Sequence, residues 1–88
     1  MDMRKLVGRN FAKFRRAKGF TQESFAEASG FTQQYISGLE TGRRNPTVVT
    51  LYELAEALGV DYLELLQPDG DKEAPPRRRR RGGRTKAQ

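Results

Sequence analysis

Residues 22–41 read QESFAEASGFTQQYISGLET, and their pattern is the most informative about the fold. Two helices that cross closely need a small residue where their axes approach, a residue that can turn left-handed between them, and apolar residues that fix the second helix on the core. This stretch supplies them in order as Ala26, Gly30, Ile36 and Leu39. The spacing therefore predicts two short helices joined by a tight turn.

The N-terminal flank of this stretch also has helical periodicity. From Asp2 to Lys18 apolar residues recur every three to four positions, as on one stripe of an amphipathic helix, and Gly19 supplies a stop. Thr21 and Thr32 are of the residue type that caps helix N-termini, so they predict the starts of the second and third helices.

Towards the C-terminus, Thr47 predicts the start of a fourth helix that ends at Gly59. Its apolar stripe comprises Val48, Leu51, Leu54, Ala55 and Leu58. Asp61 and Glu64 predict a capping box for a fifth helix, YLELLQ, which Pro68 terminates. No segment alternates with period two, so an all-α fold of five helices is expected. Its predicted large core residues are Phe11, Phe14, Phe25, Phe31, Leu51, Leu54 and Leu58.

Charge is divided unevenly along the 88 residues. Residues 1–66 carry nine Lys/Arg and eight Asp/Glu, whereas residues 67–88 carry eight and three, which together give the net charge of +6. The C-terminal part includes five consecutive arginines, Arg77 to Arg81, and no aliphatic residue larger than alanine. Such a segment cannot bury enough apolar area to order itself. We expect a domain at residues 1–67 and a disordered Arg-rich tail at 68–88, which is either a solvated charge run or a contact for nucleic acid.

The absence of cysteine, histidine and tryptophan excludes several function classes. Without cysteine and histidine there are no residues for disulfides, for thiolate or imidazole metal sites, or for nucleophile–histidine catalysis. Neither an enzyme nor a metal or other cofactor is therefore expected. No apolar run approaches the roughly 20 residues of a membrane span, and no binding site for a small-molecule effector is evident. The composition therefore predicts a cytoplasmic protein.

The spacing of the four residues that shape the turn, together with GFTQESFA, LETGRRNP and TLYELAEALGV, resembles the Cro/lambda-repressor-like (XRE) helix-turn-helix family. The resemblance extends from about Val7 to Leu66. It implies a five-helix lambda-repressor-like domain whose second and third helices bind double-stranded DNA. It also implies a sequence-specific transcriptional regulator that places a recognition helix, at about residues 33–41, in the major groove.

The resemblance assigns DNA contacts to particular residues. Gln33, Gln34 and Ser37 are expected to contact bases, and amide side chains suit adenine because they donate to and accept from its major-groove edge. The expected contacts to the DNA backbone are Gln22, Thr32, Tyr35, Arg43, Arg44 and Asn45. Each of these residues is also compatible with an ordinary solvated surface, and Tyr35 equally with covering the domain.

Two further pairings follow from the resemblance. Arg15 and Glu40 are expected to form a structural ion pair, because an acidic group facing phosphates must be neutralised within the protein. The last helix is expected to form a homodimer interface through Tyr62, Leu63, Leu65 and Leu66, on a pseudopalindromic operator. The alternative for these four residues is that they complete the monomer core.

Two other functions remain open from the sequence. One is a DNA-binding antitoxin or accessory protein whose main role is to bind a partner protein. The other is an RNA-binding protein in which the Arg/Gly-rich tail leads, because arginine-rich segments order on RNA.

Overall fold

The computed structural model describes residues 2–68, and every secondary-structure element within them is a helix. The elements are α1 (Met3–Ala17), α2 (Gln22–Ser29), α3 (Gln33–Glu40), α4 (Val48–Leu58) and a short 3₁₀ helix (Tyr62–Leu66). The all-α prediction is confirmed, with four α-helices rather than five between residues 2 and 68. The predicted tail lies outside the described residues, apart from Pro68.

Side-chain caps fix where the α-helices begin. The carboxylate of Asp2 accepts hydrogen bonds from the backbone N–H groups of Arg4 and Lys5 at 3.1 and 3.3 Å. Thr21, Thr32 and Thr47 cap α2, α3 and α4, each accepting from the N–H group three residues on. These contacts satisfy amides that the helix itself leaves without partners, which is why the predicted starts are correct.

The last element differs from the prediction in both form and cap. Tyr62–Leu66 is a 3₁₀ helix, and the Asp61 carboxylate accepts from the N–H of Leu63 at 2.9 Å instead of from Glu64. The N–H of Glu64 donates to the backbone carbonyl of Asp61, so the predicted capping box does not form. Five residues close too few α-helical hydrogen bonds to offset nucleation, whereas the tighter 3₁₀ pattern closes its bonds over a shorter span.

Asn10 holds this 3₁₀ helix against α1. Its side chain is buried, and Nδ2 donates to the backbone carbonyl oxygens of Leu65 and Gln67 at 2.9 and 2.8 Å. Sequence reasoning missed Asn10. The available signal was a lone amide directly before Phe11, at helical spacing from the apolar residues Leu6, Val7 and Phe14.

The core lies where α1, α2, α3, α4 and the 3₁₀ helix meet. The rings of Phe11 and Phe25 pack edge to face with centroids 5.0 Å apart, a favoured geometry for aromatic pairs. Phe14 and Phe31, predicted as core, are only partly buried at its margin. Val48, also predicted to point inward, is 84% exposed, because it lies at the first turn of α4 before that helix reaches the core.

Leu65 corrects the predicted dimer surface. Its side chain is fully buried in the core cluster, so it is not available to a second chain. Tyr62, Leu63 and Leu66 remain exposed around it. The monomer core therefore takes one of the four predicted interface residues and leaves the other three at the surface.

Candidate nucleic-acid interface

The outer face of α3 presents Gln33, Gln34 and Ser37 to solvent. Positions 33 and 37 lie one helical turn apart, so the three side chains share one end of one face. Together with Gln22, the first residue of α2, they line a shallow polar cleft. The structure thus brings all three predicted base contacts together with one predicted backbone contact.

The inner face of α3 fixes the direction in which this surface projects. Ile36 and Leu39 are fully buried, and Ala26 of α2 is nearly so. Gly30 ends α2 with a φ of 88°, in the left-handed region that glycine adopts without steric cost. The four residues that predicted the turn therefore occupy the positions expected of them.

Gly8 of α1 allows α3 to pack closely, and sequence reasoning missed it. A Cβ atom at Gly8 would overlap the backbone carbonyl of Leu39 and would lie 2.9 Å from that of Glu40. Any larger residue would therefore push the C-terminal end of α3 away from α1. A glycine inside an otherwise helical pattern is unfavourable by itself, and that was the available signal.

Arg15 and Glu40 form the predicted ion pair between α1 and α3. Arg15 Nε lies 2.6 Å from Glu40 Oε2, and Nη2 donates to Oε1 at 3.1 Å. Only 10% and 8% of the two side chains are exposed. The remaining Arg15 nitrogen, Nη1, donates to the carbonyl of Phe20 at 2.7 Å, in the turn before α2.

Gln22 joins this network. Its Nε2 donates to Glu40 Oε1 at 3.0 Å, so a single carboxylate links α1, α2 and α3. The contact fixes the side chain of Gln22 beside the face that bears Gln33, Gln34 and Ser37. It also means that the Glu40 carboxylate accepts three hydrogen bonds from donors of the protein.

Tyr35 and Arg44 pack against each other beside the outer face of α3. The Tyr35 ring stacks on Phe31 with centroids 5.4 Å apart, and the Arg44 guanidinium carbon lies 5.2 Å from the Tyr35 centroid. Partial burial raises the pKa of the Tyr35 hydroxyl, and the positive charge of Arg44 partly opposes this shift. Tyr35 therefore stays neutral at physiological pH and supports the arginine.

The loop after α3 exposes the other predicted backbone contacts. Arg43, Arg44 and Asn45 are all exposed, as is Thr32 at the start of α3. The side chain of Arg44 covers Gly38, where an added Cβ would come within 3.0 Å of Arg44 Nε. Asn45 lies farther along, beside Met3 and Arg4 of α1.

The structure defines the class of protein. Two short helices joined at a left-handed glycine, with a buried inner face and a polar outer face on the second, form a helix-turn-helix unit. The helix-turn-helix family model HTH_3 matches residues 11–65. The chain belongs to this family of DNA-binding transcriptional regulators.

Individual relatives agree with this assignment. The chain is 69% identical over 68 residues to the uncharacterised HTH-type transcriptional regulator y4dJ of Sinorhizobium fredii, covering 77% of this chain and 88% of that protein. Among solved structures, the hypothetical transcription factor NHTF from Neisseria superimposes with a TM-score of 0.74 at 34% identity, covering 81% of this chain and 82% of that one. The restriction-modification controller protein C.AhdI from Aeromonas hydrophila gives a TM-score of 0.66 at 37% identity, covering 70% and 94%.

These relatives are transcriptional regulators and not enzymes, in agreement with the sequence prediction. The predicted fold family is likewise confirmed. Across residues 2–68, no helix combines the length and the apolar character that a membrane span needs.

Proposed function

We propose that the protein binds double-stranded DNA sequence-specifically and regulates transcription, with α3 in the major groove. The observation that carries the proposal is the exposure of Gln33, Gln34 and Ser37 on one face of a helix whose opposite face is buried. An α-helix fits the width of the major groove, and amides at its N-terminal end reach base edges there. Base readout requires a helix of fixed orientation, and the buried ion pair and close packing on α1 supply it.

The backbone contacts surround this face in the proposal. Gln22 is the first residue of α2, where the helix dipole favours a phosphate, and Thr32 is the N-cap residue of α3, at the corresponding end of that helix. Arg43, Arg44 and Asn45 extend from the loop after α3, and Tyr35 holds Arg44 in place. Contacts of this kind fix the register of the protein on DNA without reading sequence.

The proposed assembly is a homodimer on a pseudopalindromic operator. One recognition helix contacts only a few base pairs, so a second domain supplies the additional binding free energy. Tyr62, Leu63 and Leu66 are 46%, 52% and 38% exposed, which is unusual for apolar side chains of one short segment. Two-fold related domains would read half-sites whose centres lie about 34 Å apart. A regulator of this form acts by occluding or assisting polymerase at its operator, and the relative C.AhdI bears the name of a controller protein.

Selection of bound sequences from random duplex DNA tests the proposal directly. The expected outcome is an inverted repeat with one preferred half-site. Gln33→Ala should weaken binding to that site about 5- to 150-fold, from the roughly 1–3 kcal/mol of a bidentate amide–adenine pair. Gln67→Ala, at an exposed glutamine after the 3₁₀ helix, is the matched control and should bind as wild type. Equal retention of duplexes of every sequence would contradict the proposal.

A further inference from the structure

Most of the positive charge of residues 2–68 lies in and next to the first helix. Residues 2–18 carry seven Lys/Arg and one Asp/Glu, whereas residues 19–68 carry two and seven. α1 itself contains six basic residues and no acidic one. Positive and negative charges are nearly equal in number over residues 2–68, so the local excess of positive charge lies on α1.

Three of these cations form a stripe on the surface of α1. Arg9, Lys13 and Arg16 are exposed, and their spacings of four and three residues place them on one helix face. Like charges at such spacings destabilise an isolated helix by about 0.2–0.5 kcal/mol per pair. The stripe therefore concentrates positive charge on one face of α1, where a polyanion would be attracted.

The stripe opens onto the proposed DNA-reading surface. Arg9, Lys13 and Arg16 line a cleft whose other wall includes Gln22 and Thr41. Gln22 also lines the cleft formed by Gln33, Gln34 and Ser37 of α3. One side chain thus belongs to both clefts, so the surface is continuous from the base-reading residues to α1.

Among the described residues, Glu40 is the one acidic group that lines this second cleft, and it does not neutralise the positive charge of the stripe. Its carboxylate accepts from Arg15 Nε, Arg15 Nη2 and Gln22 Nε2. Its side chain is 8% exposed. A polyanion in the cleft would meet the ammonium and guanidinium groups of the stripe and the N-terminus of α2.

We propose that Arg9, Lys13 and Arg16 form a second phosphate-contact surface, which extends the DNA footprint from α2 and α3 onto α1. The ligand is the sugar-phosphate backbone of the strand that passes the N-terminus of α2. The proposal rests on the proposed function, because it requires α3 to lie in the groove beside that strand. It assigns affinity and salt dependence to the stripe, and sequence preference to α3.

The test compares two variants of the full chain on the selected operator. Lys13→Gln with Arg16→Gln removes two cations of the stripe. Lys18→Glu makes the same change in net charge at the C-terminal end of the same segment, where Lys18 lies beside Gly59 at the end of α4. Both variants carry the same net charge, so a difference between them reports position.

The stripe variant should make the negative slope of log K against log salt shallower by about 1.8 per bound protomer, because each phosphate contact contributes about −0.9. Its affinity should fall on the order of tenfold or more near 0.1 M salt and approach that of wild type near 1 M, with an unchanged preferred sequence. Adding Arg9→Gln should make the slope shallower by about 0.9 again. Hydroxyl-radical footprints should lose protection at one flank of each half-site.

Equal slopes for the stripe variant and its control would overturn this inference. If the slopes are equal but wild-type protein still binds a specific sequence, the proposed function stands and only the role of the stripe is wrong. If wild-type protein selects no sequence, the proposed function itself is wrong. Circular dichroism of each variant establishes that the fold is retained before binding is compared.

Discussion

Glu40 is the residue at which three helices are joined. Its carboxylate accepts from Arg15 of α1 and from Gln22 of α2, while its own backbone ends α3. Both charges of the ion pair are nearly removed from water, so the pair is favourable only while its geometry and hydrogen bonds are complete. Loss of one partner leaves a buried charge without compensation.

Glu40→Ala is therefore expected to lower the free energy of unfolding by about 3–5 kcal/mol, since it leaves Arg15 buried and unpaired. Urea or thermal unfolding followed by circular dichroism measures the change. Glu53→Ala, at an exposed position of α4, should stay within about 0.5 kcal/mol of wild type. A Glu40→Ala protein that melts within a degree or two of wild type would refute the structural role.

The buried contacts of Asn10 are expected to contribute to stability in a similar way, by holding the C-terminal segment. Asn10→Asp keeps the size of the side chain but removes the amide that donates to the carbonyls of Leu65 and Gln67. Because one buried and one partly buried carbonyl lose their donor, we expect a loss of about 2–4 kcal/mol in unfolding free energy. The same substitution at the exposed Asn45 should leave stability almost unchanged. Similar unfolding midpoints for the two variants would show that the Asn10 contacts are dispensable.

At the scale of elements, two glycines permit close contacts at α3. Gly8 lets α1 approach the carbonyls of Leu39 and Glu40, and Gly38 lets the side chain of Arg44 lie across α3. The two positions differ in what surrounds them. Gly8 faces backbone that cannot move without displacing a helix, whereas Gly38 faces a flexible side chain.

Alanine substitution separates these two roles. Helix propensity alone would favour alanine by about 1 kcal/mol at either position. At Gly8 the clash with backbone should outweigh this gain and destabilise the protein by roughly 1–3 kcal/mol, as overpacking does. At Gly38 the fold should be kept while Arg44 moves off Tyr35, which weakens DNA binding. A Gly8→Ala protein more stable than wild type would show that α1 and α3 can separate without cost.

At the scale of the whole molecule, apolar surface remains at one end of the domain. Met3, Val48, Tyr62 and Leu66 border a groove between α1, α4 and the 3₁₀ helix, and Leu63 is exposed nearby. Contiguous apolar surface on a small domain marks an interaction site. A second copy of the chain is the occupant that the proposed operator symmetry requires.

Leu63→Glu combined with Leu66→Glu should convert a dimer into a folded monomer, because two charges would be desolvated at the interface. Sedimentation velocity measures the assembly, and circular dichroism measures the fold. Leu65→Glu should instead unfold the domain, since Leu65 is fully buried within one chain. A double variant that sediments as an unchanged dimer would exclude this interface.

Local features of the sequence determined the four α-helices and the face that bears Gln33, Gln34 and Ser37. Caps, stop glycines and apolar stripes act within a few residues of each other, so the chain encodes them without knowledge of the fold. Their predicted starts at Thr21, Thr32 and Thr47 agree with the structure. The basic composition of residues 69–88 is equally local, although its structural consequence lies outside the described residues.

Features that depend on distant parts of the chain follow from the packing of the helices and not from local patterns. The amide of Asn10 reaches a carbonyl 55 residues away, and that contact accompanies the 3₁₀ form and the burial of Leu65. The clearance at Gly8 and the position of Gln22 between two clefts likewise require several helices to be packed. Spacing along the sequence specifies which residues share a helix face, but which faces meet is determined by the packing that buries the most apolar surface.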